Sequence, residues 1–215
     1  MSLNKKPHEM VLLIIQLKDC IIIVSDSHVN RGDINKNKSN NHFTLLNNHI
    51  LCCYSTISSD IQFATDYLKS VLTKSLNYVK KKTNVRVVAQ IMREIYKKTA
   101  TSSCVCAGWD LFHGNQFYLI SQKGSLFKQN FLLMQNNSVY LDKNWILSYG
   151  KKKSYHFSRK FALEILSTMI TLNEKKKNII KIYSINRYGI KTELITPFSE
   201  IKKFYFSKKS INRLI

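Results

Sequence analysis

The sequence predicts an α+β protein built as a four-layer αββα sandwich, two antiparallel sheets between outer layers of helices. Three observations predict it. The chain has 215 residues, enough for one large domain with a substantial core. Its segments run in the order strands, two helices, strands, helices, strands. Most strand runs are apolar on both faces, so each needs cover on two sides, from a second sheet and from helices.

The first elements are Val11–Leu17 and Cys20–Ser25, two β-branched apolar runs parted by Lys18-Asp19, which read as a hairpin of buried strands. Asn30–Asn41 is rich in Asn, Lys and Ser and reads as a surface loop. Phe43–Leu46 and His49–Tyr54 form a second hairpin across Asn47-Asn48. A helix follows: Ser58-Ser59-Asp60 supplies caps, and Ile61, Ala64, Leu68, Val71, Leu72, Leu76 and Val79 recur at helical spacing. Lys80–Lys82 ends it, where cations suit the negative end of the helix dipole. A second helix carries Val88, Ile91, Met92 and Ile95 on one face.

Four more strands are expected at Ser102–Asp110, Gln116–Ser121, Ser125–Lys128 and Phe131–Met134, with Gly114 and Gly124 in the turns. The stretch from Asn136 to Tyr149 is expected to hold a short helix. Phe161, Ala162, Ile165, Leu166, Met169 and Ile170 mark a third firm helix, with Ser158 as its cap. Ile179–Ile185 and Ile190–Ile195 close the domain as a hairpin around Arg187-Tyr188-Gly189. Residues 1–9 read as an N-terminal extension, 10–195 as one domain and 196–215 as a basic, aromatic tail.

Lys and Arg number 34 against 13 Asp and Glu, a net charge of +21. Such a field suits a polyanionic partner such as nucleic acid, a membrane surface or acidic protein neighbours. Yet 28 of the cations are Lys and only 6 are Arg, and the Lys runs sit between apolar segments, as solvated loops do. Base-reading proteins lean on the planar Arg fork, so nucleic acid is disfavoured as partner. No run of 18 apolar residues exists, so a membrane span is not expected. Cys20, Cys52, Cys53, Cys104 and Cys106 are an odd set within strand-like runs and read as reduced core thiols. Neither they nor the six His show ligand spacing, so no metal and no cofactor is expected.

Four pieces fall in one order on these elements. An apolar strand ends in Ile21-Ile-Ile-Val-Ser-Asp26-Ser27; Val29-x-Arg31-Gly32 follows; a later strand ends in Cys106-Ala-Gly108-Trp109-Asp110; and Tyr188-Gly189-Ile190 makes the last turn. Over roughly Met10 to Ile195 the chain thereby resembles the beta subunits of the proteasome core particle, members of the N-terminal-nucleophile hydrolase fold. Asp60-x-Gln62-Phe63-Ala64 running to Tyr67, with the Met10-led strand, is similar to the subunit at the fourth beta position, the beta type-2 family. Cys52-Cys53 is more similar to the first beta position.

The resemblance implies a site built on an N-terminal Thr whose hydroxyl attacks the peptide bond, helped by its own amine, a Lys and an Asp. Aligned on Lys18-Asp19 and Asp26-Ser27, the nucleophile slot holds Met10, and no Thr precedes Thr44. A thioether has no proton to lose and cannot attack. Asp26 stands as a remnant. The lysine slot falls near His42, whose ordinary pKa of ~6.5 leaves it mostly neutral at pH 7. The family's Gly-Ser-Gly-Ser turn is Gln135-Asn136-Asn137-Ser138 here, and its late Asp and Ser-Gly-Gly give way to Asn173–Lys177.

The chain is therefore expected to be a non-catalytic beta subunit. Its implied partners are other alpha and beta subunits in a 28-subunit stacked-ring complex, in cytoplasm and nucleus, serving ubiquitin-dependent protein degradation. The tail after Thr196 is expected to dock on a neighbour. Two rivals stand beside this reading: a catalytic, first-position-type subunit with a different start, and a basic RNA- or DNA-binding protein.

Overall fold

Eleven strands and three helices are seen in a computed structural model that describes residues 11–28, 42–54, 63–72, 84–99, 103–135, 138–140, 154–171 and 178–195. The first sheet has six strands in the order β11-β10-β2-β1-β8-β9: β1 is Val11–Gln16, β2 Ile21–His28, β8 Phe131–Gln135, β9 Ser138–Tyr140, β10 Asn178–Asn186 and β11 Gly189–Ile195. The second has five, β3-β4-β5-β6-β7: β3 is Phe43–Asn47, β4 Ile50–Tyr54, β5 Cys104–Asp110, β6 Gly114–Ile120 and β7 Leu126–Gln129. Every pairing is antiparallel. Helix α1 covers residues 63–72, α2 is Val85–Thr99 and α3 is Tyr155–Thr171.

Alternation along each strand divides the apolar residues among three layers of core. Leu12, Ile14, Ile21 and Ile23 face Leu51, Val105, Phe117 and Leu119 between the sheets. Leu13, Ile15, Ile22 and Val24 point the other way, onto Ala162, Ile165 and Leu166 of α3. Ile50, Cys52, Cys104, Cys106 and Ile120 pack outward under Leu68 of α1 and Val88, Ala89 and Met92 of α2. The expected αββα sandwich is present, and the doubly apolar strands are those it covers on both faces.

Two sequence expectations need correction. Residues 138–140, expected within a short helix, form strand β9, with Gln135 opposite Ser138 and Leu133 opposite Tyr140. The open edge of β8 offers unpaired backbone groups, and a ladder there outweighs weak local preference. Ser158, expected as the cap of the third helix, lies inside it. Ser154 is the cap: its Oγ accepts from Phe157 N at 3.3 Å, while the Ser158 hydroxyl donates back to Ser154 O at 2.7 Å. The loop at 30–41, the caps at 58–60, the N-terminal extension and the tail after Thr196 lie outside the described residues.

Gly108 sits where two neighbours approach the backbone closely. A Cβ there would stand 2.8 Å from His49 O and 2.9 Å from Val85 Cγ2, closer than packed atoms tolerate. One neighbour is backbone and the other opens α2, so neither yields easily. Gly108→Ala is expected to destabilise the fold by about 1–3 kcal/mol through overpacking, read as a lower urea midpoint with unchanged slope.

Candidate functional site

The N-terminal end of β1 lies beside the C-terminal end of β2, so Asp26 stands across from Val11. Its Oδ1 accepts from Val11 N–H at 2.7 Å. Burial pushes the Asp26 carboxyl up to about 6, against the pull of hydrogen bonds from Val11 and its own backbone. No Lys or Arg among the described residues forms an ion pair with it. The register with β10 sets Asp26 opposite Ile180, on the face that carries Ile22 and Val24 toward α3. Met10, the slot for the nucleophile, lies outside the described residues.

His42 precedes β3 and is fastened to the end of β4. Its carbonyl accepts from Tyr54 N–H at 2.8 Å, and its Nδ1 lies 2.9 Å from Tyr54 O. A carbonyl only accepts, so Nδ1 carries the proton in that contact. No hydrogen bond or ion pair joins His42 to Asp26. The structure does not bring the two residues together as an acid–base pair.

The thiols offer no substitute nucleophile. All five cysteines are buried and unpaired. Burial raises Cys20 to about 11, with Asp19 adding to it, and pushes Cys52, Cys53 and Cys104 well above the usual thiol range. Cys52 donates to Met92 Sδ at 3.2 Å inside the core. A neutral, inaccessible thiol neither attacks nor ligates a metal. Among the described residues no group of three His, Cys, Asp or Glu side chains is placed to hold a metal ion.

Sequence reasoning flagged Gly108-Trp109-Asp110 without a role for its acid. The Asp110 side chain is fully buried and gathers the start of α2 and the β5–β6 turn. Oδ2 accepts from Val85 N at 3.0 Å and Gln116 Nε2 at 2.5 Å; Oδ1 accepts from Phe112 N at 2.9 Å and His113 N at 2.8 Å. Gln116 is held in turn, its Oε1 accepting from Tyr118 OH at 2.8 Å. Asn84 completes the helix start, its Oδ1 accepting from Arg86 N at 2.8 Å. Asn84 just ahead of an apolar periodic run is a readable cap signal, but Asp110 acts from 25 residues away and no local pattern reveals it.

Comparison with known proteins adds to this geometry. A protein-family model described as "Proteasome: Proteasome subunit" matches residues 12–185. Proteasome subunit beta type-6 of Dictyostelium discoideum is 23% identical over 188 residues, covering 86% of this chain and 87% of that one. Proteasome subunit beta type-9 of Salmo salar is 24% identical over 197 residues, covering 90% of each. The human beta type-9 subunit is 22% identical over 197 residues, with 90% of this chain and 89% of the relative covered.

Proposed function

Because the chain belongs to the proteasome beta subunit family, we propose that within the core particle it is a non-catalytic member, one that builds the ring and the wall of the degradation chamber. Family membership carries assembly with other proteasome subunits in a threonine protease complex. The 28-subunit stacked ring, the non-catalytic role and a home in cytoplasm and nucleus are the finer parts of this reading. One observation supports it: the sequence has Met10 where the family resemblance puts the nucleophilic Thr, and the Asp26 carboxylate accepts from the Val11 backbone. The chemistry needs a hydroxyl to attack and a cation to tune the proton transfer; position 10 has no hydroxyl, and no Lys or Arg among the described residues pairs with Asp26.

The slot within the ring has two readings. Asp60-x-Gln62-Phe63-Ala64 favours the fourth position, whereas the relatives above carry type-6 and type-9 names and Cys52-Cys53 favours the first. Contact mapping by cross-linking in the intact particle separates these slots through the neighbours it finds.

The test of the role is an adduct measurement. The native particle is treated with a peptide epoxyketone, which closes a ring on the hydroxyl and amine of an N-terminal Thr, and each subunit is weighed intact. The expected result is added mass on catalytic sisters and none on this chain. Added mass on this chain, or a mature terminus that is Thr, overturns the non-catalytic reading. Migration of the chain in native lysate at its own 25.1 kDa, apart from any large particle, overturns the subunit reading itself.

A further inference from the structure

The hairpin turns β1–β2, β3–β4, β5–β6 and β10–β11 meet at the pole away from Asp26. Asn115 Nδ2 donates to Lys18 O at 3.1 Å, Trp109 N to His49 O at 3.1 Å, and His49 Nε2 lies 3.2 Å from Arg187 O. These bonds frame a cavity of about 650 Å³, open to solvent and within the size range that holds a ligand. It is lined by three cations, Lys18, Arg187 and Lys191, and by the rings of Trp109, Tyr155 and Tyr188.

The charges there are unbalanced. Asp19 is the one acid on the described lining. Lys191 is paired with Glu193 at 3.2 Å. Lys18 and Arg187 form no ion pair with a described carboxylate; the Arg187 guanidinium lies 4.6 Å over the Tyr188 ring and bonds its hydroxyl. Tyr188 is 79% exposed, so this stacked pair stands ready at the rim. Asn115, also on the lining, is buried, and its Oδ1 has no hydrogen-bond partner among the described residues.

We propose that this cavity docks an acidic peptide segment of a partner protein. Asp or Glu side chains of the segment meet Lys18 and Arg187, and one apolar or aromatic side chain rests among Trp109, Tyr155 and Tyr188. A peptide fits better than a phosphate backbone because it also brings N–H donors, which the orphan carboxamide oxygen of Asn115 needs, directly or through a water. Asp26 is not on this lining, so the inference stands whether or not the subunit is catalytic.

The test is fluorescence anisotropy of the full chain with a fluorescein-labelled peptide of six Glu around one Tyr, beside the same peptide with Gln for Glu. Lys18→Glu with Arg187→Glu is expected to weaken the Glu peptide tenfold or more, and Arg187→Gln alone by severalfold. Lys123→Glu with Lys128→Glu, exposed cations away from the cavity, is expected to change it less than twofold. Equal weakening by both double variants overturns the proposal, because the peptide then senses only the overall +21 field. So does equal affinity for the Gln peptide, or displacement of the Glu peptide by equimolar single-stranded RNA.

Discussion

Asp110→Asn is expected to destabilise the protein by about 2–4 kcal/mol despite its near-identical shape, seen as a lower urea midpoint by circular dichroism. Each Asp110 oxygen accepts two N–H groups: Val85 and Gln116 on one, Phe112 and His113 on the other. An amide keeps one oxygen and turns the other position into a donor. Whichever way it lies, two donors then face a third. Rotating Gln116, whose Nε2 then donates to Tyr118 OH, relieves one of the two at most, because the Val85 N–H is fixed at the start of α2. Asp110→Ala is expected to cost about 3–5 kcal/mol, leaving the buried Val85 and Gln116 donors unpaired. A cost below 1 kcal/mol for both variants would mean that the start of α2 is held by Asn84 and packing alone.

The same carboxylate sets an acid limit. Burial alone raises the Asp110 carboxyl, but hydrogen bonds from Val85, His113, Phe112 and Gln116 outweigh it and hold the group below its usual range. A carboxyl depressed by folding contributes stability that is complete above its ordinary pKa and fades as pH falls through the folded value. Asp110 therefore strengthens the fold throughout neutral pH and withdraws its support only in strong acid.

Period and apolarity made most of the fold legible. Ile21–Val24 is apolar at every position, which only a strand covered on both faces tolerates, and α2 shows its buried stripe at Val88 and Met92. What escaped had no local signature. β9 is three residues long and exists through the edge of β8; Ser154 and Ser158 are alike in sequence and differ only in where the chain enters the helix. The candidate site was legible only as an expectation, Met10 in the nucleophile slot, because Met10 lies outside the described residues. The separation of Asp26 from His42 was not legible, because it depends on which face of which sheet each residue takes.

Asp26 gives the second large effect, with the opposite sign. Its folded pKa of about 6 lies above the ordinary carboxyl value of 3.8, because burial strips water from the charge and no described cation replaces it. A group raised by folding contributes stability that is complete below its unfolded pKa and is lost as pH rises through the folded one, here between about 4 and 6. Above pH 6 the fold holds a largely desolvated carboxylate that no described cation pairs with. Asp26→Asn removes that charge while its Oδ1 can still accept from Val11 N–H. The variant is expected to be more stable than the parent by roughly 1–3 kcal/mol at pH 8 and equal to it at pH 4, from thermal midpoints at both values. Where a cation pairs with the acid, as the catalytic chemistry of the family requires, the same substitution removes an attraction and destabilises at pH 8. The sign of one substitution at one pH thus separates a remnant carboxylate from a working one, and a loss of stability at pH 8 would return Asp26 to the catalytic machinery.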